Sequence, residues 1–352
     1  MKYTTKIAAL FASILLLSTP LSAKKIKWKL AQTWPSTLTP LASAPKRVAQ
    51  MVKAMSDGKF IIKVEGKEKH KAPLSILDMV KGGQYQMGHS SSYFWKGKDI
   101  NAIWFTTVPF GMTPSEQYTW FYYGNGKKYM REFYEQYRVL AYPGGNTGNQ
   151  MGGWFKKEIN TVEDFKGLKM RIPGLAGEVL AKFGVNVTNI PPGELYTSLD
   201  RGTIDALEWV GPGMDIKMGF HKVAPYYYTG WHEPAAEMQF LVNKKAFDKL
   251  PKHFQAMLET AIKAATFEMY IENFALSAQA WDMMKTSHPN IKVKHFPKPV
   301  IEAMKKATKE VYAEYAAKNP KFKEIYEDYQ AFQKKSRAWT QMMQGGYLEL
   351  DK

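Results

Sequence analysis

The sequence contains no cysteine among its 352 residues, and this absence excludes several kinds of site at once. Zinc–thiolate centres, iron–sulfur clusters, disulfides and cysteine nucleophiles all require a residue that the chain does not have. A chain of this length buries enough apolar surface to fold without disulfides. The lack of cysteine is therefore compatible with an oxidising compartment, where disulfides are permitted but not required.

Long hydrophobic runs are scarce as well. The run from Ile7 to Leu17 is shorter than the ~20 apolar residues that span a membrane. It follows Lys2 and Lys6 and is followed by Leu21-Ser-Ala23, which ends in a small residue typical of a cleavage site. We interpret residues 1–23 as a secretory signal peptide cleaved near Ala23, and we predict a soluble, periplasmic mature protein.

Acidic residues are fewer than basic ones, 32 against 49, which gives a formal net charge of +17. The predicted signal peptide contains only two of the lysines, so the mature chain keeps most of this charge. The lysines are scattered singly and in pairs, without an arginine-rich arm or a recognition motif. We therefore predict no nucleic-acid partner, and a basic surface that favours anionic ligands in general.

Familiar catalytic motifs are missing. Gly148 and Gly153 have the spacing of a phosphate-binding loop, but Trp154-Phe155 follows where that loop needs Lys and Ser or Thr. Ser90-Ser-Ser92 lacks the glycines of a nucleophile elbow. The histidines form no H-E-x-x-H pair, and we interpret His232-Glu-Pro234 as a turn. The sequence therefore offers no nucleophile–base pair.

What the chain does contain is an alternation of strand and helix patterns over its first two thirds. The predicted strands cover residues 26–34, 60–64, 86–92, 138–142, 168–172, 185–190 and 206–209. The predicted helices between them cover residues 40–55, 75–81, 176–183 and 193–200. This alternation indicates parallel sheets with helices on their faces. From Lys252 onwards, helical spacing predicts one long helix to residue 287 and two more at 300–315 and 322–343.

Polar segments stand out between residues 144 and 240, and they supply one guanidinium, one carboxylate and two primary amides. They are Gly144–Gln150, Met170–Gly174, Leu199–Trp209 and Glu237–Phe240. Gln150, Arg171 and Glu208 all lie beyond or near the carboxyl ends of predicted strands, where α/β sheets bind ligands. The set can hold a small organic anion with a cation beside it, which indicates capture rather than chemistry.

The chain resembles the extracytoplasmic solute-binding subunits of tripartite ATP-independent periplasmic (TRAP) transporters. The resemblance is carried by the segments Phe165–Pro173, Gly193–Asp205 and Asn243–Pro251. Within that family it is similar to the branch that binds 2-oxo acids and related hydroxy acids together with a cation. That similarity rests on the segments Gly145–Gln150, Ala206–Trp209, Tyr226–Pro234 and Glu237–Phe240.

The resemblance implies a two-lobed periplasmic-binding-protein fold of the α/β class, in which each lobe is a mixed, mostly parallel sheet with flanking helices. Lobe I would comprise residues 24–148 plus 237–276, and lobe II residues 149–236 plus 277–352 with the C-terminal helices. The implied function is capture of a small monocarboxylate, such as pyruvate or a related 2-oxo or 2-hydroxy acid, for delivery to TRAP membrane subunits. No catalysis is expected.

Arg171 is the first candidate for the ligand site. A planar guanidinium holds a carboxylate through two parallel hydrogen bonds, which a lysine cannot reproduce. Taken alone, Arg171 would be read as an exposed arginine at a strand end. The resemblance instead places the family's carboxylate-binding arginine here. Tyr93 is a candidate hydroxyl donor from lobe I, although an aromatic packing role is nearly as good an interpretation, and Asn146 is a weaker candidate.

The resemblance assigns a cation site to Gln150, Glu208, Gln239 and the main-chain carbonyl of Trp209, with Gln150 also touching the substrate. Oxygen donors suit hard cations such as Na+ or Ca2+, and the identity of the ion stays open. The alternative interpretation is that the two glutamines cap loop backbone and that Glu208 pairs with a lysine. The long helix packs either within one monomer or across a homodimer.

Two other functions remain open from the sequence. One is an exported metal-dependent enzyme acting on 2-oxo acids, which would use the same arginine and cation. It would also need a general acid or base, and Glu208, the only obvious candidate, would be occupied by the cation. The other is a ligand-sensing module that feeds a receptor.

Overall fold

The computed structural model of the protein describes residues 25–350, so the predicted signal peptide lies outside the described residues. The strands, in chain order, are β1 (Ile26–Gln32), β2 (Phe60–Glu65), β3 (Met87–Ser90), β4 (Val139–Asn146), β5 (Gly153–Phe155), β6 (Lys169–Arg171), β7 (Asn186–Thr188), β8 (Ala206–Leu207), β9 (Tyr226–Tyr228), β10 (Glu237–Asn243) and β11 (Lys292–Lys294). They form two separate sheets, one of five strands and one of six.

Helices cover both sheets. In chain order they are α1 (Ser43–Met55), α2 (Lys67–His70), α3 (Ile76–Lys81), α4 (Pro114–Tyr123), α5 (Gly126–Glu135), α6 (Ala176–Ala181), α7 (Leu195–Asp200), α8 (Pro212–Met218), α9 (Lys244–Asp248), α10 (Lys252–Ser287), α11 (Lys298–Lys318), α12 (Pro320–Thr340) and α13 (Gly346–Glu349). A π-helical turn, Gln341–Gly345, joins the last two, and shorter 3₁₀ turns include Ser92–Trp95 and Ile100–Phe105. Within residues 25–350 no helix has the length and apolarity needed to cross a membrane.

The two sheets are built in the same way. The first has the strand order β2-β1-β3-β10-β4, in which only β10 runs against its neighbours. The second has the order β11-β9-β5-β8-β6-β7, in which only β5 is antiparallel. The chain crosses from the first sheet to the second after β4 and returns to the first sheet at β10. The antiparallel strands β5 and β10 are therefore the first strands that the chain forms after each crossing.

Helix α10 makes the third connection between the sheets. Its 36 residues correspond to roughly 54 Å of helix. Near its middle, Thr266 donates a hydrogen bond to the Pro143 carbonyl of β4 at 2.7 Å, and Asn273 donates to the Thr147 carbonyl in the first crossing. Further along, Leu276 packs against Gly213 in α8, which covers the second sheet. The helix therefore contacts both sheets and the segment that joins them.

The sequence patterns predicted most of this architecture but not all of it. The long helix α10 has the predicted bounds, because its apolar positions recur without glycine or proline. The predictions missed α4 and α5 between residues 114 and 135, and also β9, β10 and β11. Strand β10 is buried at almost every position, so polar and apolar residues are buried alike and the run Phe240–Val242 shows no alternation that would reveal a strand.

Candidate functional site

Arg171 and Glu208 meet at the ends of two neighbouring strands. Strands β6 and β8 pair in parallel with Arg171 opposite Leu207, and the Glu208 N–H donates to the Arg171 carbonyl at 3.0 Å. This register places the Arg171 Nη1 3.0 Å from Glu208 Oε2, and both side chains are only 1% exposed. The ring of Trp209 lies beside the guanidinium, with 5.5 Å from its centroid to the arginine Cζ. The result is a buried ion pair with an aromatic wall.

Two further polar side chains come from the irregular segment between β9 and β10. His232 Nε2 lies 3.4 Å from Glu208 Oε1, and one ligand atom each from Glu208, His232 and Glu233 lies within 4.8 Å of the others. The Gln150 main-chain N–H donates to the Glu233 carbonyl at 3.0 Å. This hydrogen bond joins the segment that follows β4 to the segment between β9 and β10. We call Glu208, His232 and Glu233 the acidic cluster.

Many polar atoms around the acidic cluster are buried without a hydrogen-bond partner in the described chain. They are both carboxylate oxygens of Glu233, both ring nitrogens of His232, Glu208 Oε1, Gln150 Oε1 and Arg171 Nε. A buried polar group without a partner costs roughly 1–3 kcal/mol, so folded proteins rarely collect several at one place. The oxygens are the ligands that hard cations prefer, and the free guanidinium N–H suits an anion. The arrangement fits a cation and a carboxylate bound side by side.

The electrostatics of the acidic cluster also favour a bound cation. Burial, with the negative charge of Glu208 next to it, raises the pKa of Glu233 well above its ordinary range, and Arg171 opposes that rise. Burial, with the charges of Glu233 and Glu208, also raises the pKa of Tyr93 well above the usual tyrosine value. A positive ion at the cluster would relieve the repulsion between the two carboxylates. The Tyr93 hydroxyl stays protonated and remains a hydrogen-bond donor.

Tyr93 reaches the site from the first sheet. It lies in the 3₁₀ turn after β3, and a Cβ placed on Gly174 would be 3.6 Å from its ring. Beside it, Lys96 Nζ donates to the Gly174 carbonyl at 2.8 Å and to Glu178 at 2.6 Å. Both acceptors follow β6 of the second sheet. The turn after β3 therefore covers the segment that carries Arg171.

Two of the predicted site residues have their amides engaged by the protein itself. The Gln239 oxygen accepts a hydrogen bond from the Tyr134 hydroxyl, and its nitrogen donates to the Phe105 carbonyl at 2.9 Å. The Asn146 nitrogen donates to Gln117 at 3.0 Å and to Glu237 at 3.1 Å, and its oxygen accepts from the Gly148 N–H at 2.8 Å. The structure thus gives these amides hydrogen-bonding roles around the first sheet, in contrast to Gln150, whose oxygen is free.

His232 and Glu233 were missed as site residues by the sequence reasoning. Their segment is irregular, in line with the predicted turn, yet His232 is fully buried and Glu233 is 3% exposed. Turn residues are normally solvated, and a turn beside Pro234 gives no sign of the direction in which its side chains point. One feature of the sequence could have identified them. His232 and Glu233 are ionisable, and they lie between Trp231 and Pro234 in a segment that supports the family resemblance.

Comparison with known proteins gives consistent matches. The family model described as bacterial extracellular solute-binding protein, family 7, matches residues 30–319. A curated relative from Nostoc sp., described as a monocarboxylate 2-oxoacid-binding periplasmic protein, is 40% identical over 323 residues, which is 92% of this chain and 88% of the relative.

Solved structures match over the same range. A TRAP periplasmic solute-binding protein from Colwellia psychrerythraea with bound calcium and pyruvate has 56% identity and a TM-score of 0.91, covering 93% of this chain and 99% of that one. A protein from Pseudoalteromonas atlantica with bound sodium and pyruvate gives the same four values. A protein from Bordetella bronchiseptica, a mixed-occupancy dimer with calcium and picolinate, has 35% identity and a TM-score of 0.90 over 93% of this chain and 97% of that one.

Proposed function

This chain belongs to the bacterial extracellular solute-binding proteins of family 7, and from that premise we propose that it captures a small 2-oxo monocarboxylate together with a cation. The family consists of solute-binding receptors of TRAP transporters and not of enzymes, so the predictions of family, fold class and absence of catalysis are confirmed. Pyruvate is the substrate that we propose, because two relatives that are 56% identical contain it.

The observation that carries this proposal is the set of buried, unpartnered polar atoms around Arg171 and the acidic cluster. In the arrangement that we propose, Arg171 holds the carboxylate of the acid and Tyr93 donates its hydroxyl from the other lobe. The cation is held by Glu208 and Glu233, with the amide oxygen of Gln150 and the carbonyl of Trp209 as further ligands. Glu233 thereby takes the place that the sequence analysis gave to Gln239.

The charges of the site favour Ca2+ over Na+. A bound cation would draw the proton from Glu233, so that in the occupied site Glu208 and Glu233 carry two negative charges and Arg171 one positive charge, which leaves one net negative charge in a buried place. A monocarboxylate and Ca2+ together add one positive charge and neutralise the site. A monocarboxylate and Na+ add none, and uncompensated buried charge is costly. When bound, the ion also supplies a positive charge for the oxygens of the acid.

Two lobes closing around the acid would explain why the contacts come from both sheets. We propose residues 24–148 with 237–276 as lobe I and the remaining mature chain as lobe II. The Lys96 contacts to Gly174 and Glu178 are the bonds that closure would form. Delivery to the membrane subunits of a TRAP transporter would follow in the periplasm, after cleavage of the signal peptide near Ala23.

A homodimer is the second part of the proposal. Phe267, Ile271 and Phe274 are exposed on one face of α10, at 64%, 46% and 70%. Trp339 on α12 and Met342 just beyond it are also largely exposed. Exposed apolar groups in such number are typical of an association surface. We expect light scattering to give twice the mass of the mature chain, and Phe274→Glu to give the monomer; a monomeric parent protein would contradict this part.

One experiment tests the main proposal. Purified mature protein is stripped with a chelator, moved into sodium-free buffer and titrated with pyruvate in a calorimeter, first without added ions and then with Ca2+ or Na+. We expect strong binding only when a cation is present, and tighter binding with Ca2+. Mass spectrometry of the untreated protein should identify the acid and the metal that purify with it. Equal pyruvate affinity with and without cations would contradict the proposed cation role.

A further inference from the structure

His232 has no part in the proposed receptor function, although it is fully buried in the acidic cluster. Its Nε2 lies 3.4 Å from Glu208 Oε1, yet neither of these atoms has a hydrogen-bond partner in the described chain, and its Nδ1 has none either. Both carboxylate oxygens of Glu233 are free as well. Buried polar side chains normally have at least one partner, so free nitrogens beside free carboxylate oxygens indicate a ligand that binds to both.

The main chain holds His232 in place from both sides. The carbonyl of Trp231 accepts the Phe110 N–H at 3.0 Å, and the carbonyl of Glu233 accepts the Gln150 N–H at 3.0 Å. The ring of Trp231 lies near the imidazole, with the two centroids 5.8 Å apart. The protein itself therefore fixes the imidazole within the acidic cluster, which is how the ligands of a metal site are held.

The donor atoms of the acidic cluster converge. One ligand atom from each of its three residues lies within 4.8 Å of the others, and residues 25–350 contain no second group of three such side chains. Two ligands of one Zn2+ ion, each roughly 2.0–2.1 Å from the metal at a tetrahedral angle, stand roughly 3.3–3.4 Å apart. His232 Nε2 and Glu208 Oε1, at 3.4 Å, have this separation. The cluster therefore has the spacing of three ligands around one small metal ion.

The imidazole nitrogen decides which metal ion fits best. Ca2+ takes oxygen ligands, so His232 contributes nothing to its binding. Imidazole suits first-row divalent metals, and zinc sites often use three protein ligands and keep a further position for water or substrate. The charge balance that favours Ca2+ over Na+ holds for every divalent ion, so it favours Zn2+ equally.

We propose that Glu208, His232 and Glu233 together bind a first-row divalent metal ion such as Zn2+, and that His232 makes the site prefer this ion to Ca2+. The proposal rests on the proposed function, in which both carboxylates already hold the cation. Glu208 and Glu233 supply charge to either ion, and the nitrogen of His232 distinguishes the two. Three protein ligands leave a position for an oxygen of the bound acid.

A metal titration without the acid tests this preference. The mature protein is stripped with a chelator, and Zn2+ and Ca2+ are titrated in a competition assay with a fluorescent chelator, first separately and then together. We expect one Zn2+ per chain, bound at least about tenfold more tightly than Ca2+ and displaced by Ca2+ only in excess. Zn2+ that binds more weakly than Ca2+, or that binds beside it without competition, would overturn the proposal. Because pyruvate is absent, a failure here is distinct from a failure of cation-dependent pyruvate capture.

His232→Asn tests the nitrogen ligand. Asparagine is polar and offers an oxygen, so Ca2+ affinity should stay within about threefold, while Zn2+ affinity should fall by about 100-fold or more. His288→Ala is the control, because the rings of His288 and His221 lie 4.5 Å apart and offer imidazole nitrogens outside the acidic cluster. The control should keep the Zn2+ affinity of the parent. Equal changes of Zn2+ and Ca2+ affinity in His232→Asn, or a loss of Zn2+ affinity in His288→Ala, would overturn the proposal.

Co2+ reports the metal ligands in the parent protein, so this measurement does not depend on how a variant folds. Co2+ replaces Zn2+ in nitrogen and oxygen sites, and its visible absorption changes with the ligands. We expect the spectrum of Co2+ bound to the stripped parent to differ from that of the aqueous ion, and to return towards it in His232→Asn if thermal melting shows that variant to be folded. A parent spectrum like that of aqueous Co2+ would mean oxygen ligands alone and would contradict the role of His232.

Discussion

Glu233 and Glu237 lie four residues apart, and both are buried, yet the protein treats the two carboxyl groups in opposite ways. Glu237 accepts hydrogen bonds from the Gly144 and Gly145 N–H groups at 2.9 and 3.1 Å and from Asn146 at 3.1 Å. Glu233 accepts none within the described chain. Burial raises the pKa of both, that of Glu237 to about 8. The difference lies in the partners and not in the burial.

The side-chain amides of Gln239 and Gln150 show the same contrast between satisfied and free polar groups. Gln239 has both ends of its amide bonded to Tyr134 and Phe105, whereas the Gln150 oxygen is free beside Glu233. A buried polar group that the protein has satisfied stabilises the fold, and one that it has left free is available to a ligand. The comparison therefore divides the buried polar groups of this chain into a structural set around Glu237 and a binding set around Glu233.

The largest expected effect comes from the arginine of the binding set. Arg171→Ala should weaken pyruvate binding by roughly 3–5 kcal/mol, because it leaves the acid and Glu208 without their buried charge partner. Arg171→Lys should restore only part of the lost affinity, because an ammonium group cannot form the two parallel hydrogen bonds of a guanidinium. The control is Arg47→Ala, which removes a partly exposed arginine paired with Glu268 and Glu272. Calorimetric affinity near the parent value in Arg171→Ala would remove Arg171 from the binding set.

The two glutamates provide the most direct test. Glu233→Gln should weaken Ca2+ binding by about 100-fold or more, given that even outer partners of metal ligands are worth 10–100-fold. Na+ should be affected less, because the smaller charge needs fewer carboxylates. Glu237→Gln should leave Ca2+ affinity within about twofold. A competition assay with a fluorescent chelator measures the Ca2+ affinity of both variants. Equal losses of Ca2+ affinity in the two would contradict the division into a structural set and a binding set.

The glutamines should separate stability from binding. Gln239→Leu leaves the Phe105 carbonyl and the Tyr134 hydroxyl without partners, so we expect it to lower the free energy of unfolding by about 1–3 kcal/mol. Its Ca2+ affinity should stay unchanged. Gln150→Leu should instead weaken Ca2+ and pyruvate binding with little effect on unfolding. Chemical denaturation and calorimetry of both variants test this, and a loss of Ca2+ affinity in Gln239→Leu would return Gln239 to the cation site.

The last effect concerns pH and the structural set, and it is small over any single pH unit. Because burial raises the pKa of Glu237 from 4.5 to about 8, the folded protein binds more protons than the unfolded chain between these values. Its contribution to stability is therefore present at low pH and lost as pH rises through about 8. The unfolding free energy of the parent minus that of Glu237→Gln should fall by about 1 kcal/mol per pH unit between pH 5 and 8. A difference that rises with pH would mean that the three donors stabilise the ionised form.

Local patterns in the sequence predicted part of the fold and part of the site. Uninterrupted helical spacing marked α10 at Lys252–Ser287, and the strand patterns placed Arg171 and Glu208 at neighbouring strand ends. The same reasoning failed at the short helix α4 and at the buried strand β10, where the pattern is weak, and it overlooked α5, whose buried residues do recur at helical spacing. Periodicity reports which face of an element is buried, and it carries little information where an element is buried on both faces.

The sequence by itself determined the absence of thiol chemistry, the alternation of strands and helices, the family, and the presence of one arginine and one glutamate at strand ends. Only the tertiary structure decided which buried polar groups are free. Gln239 is satisfied by Phe105 and Tyr134, which are more than 100 residues away along the chain, and Glu233 lies beside Glu208 through the return of the chain to the first sheet. Hydrogen-bond satisfaction depends on distant partners meeting in three dimensions, and no local pattern records it.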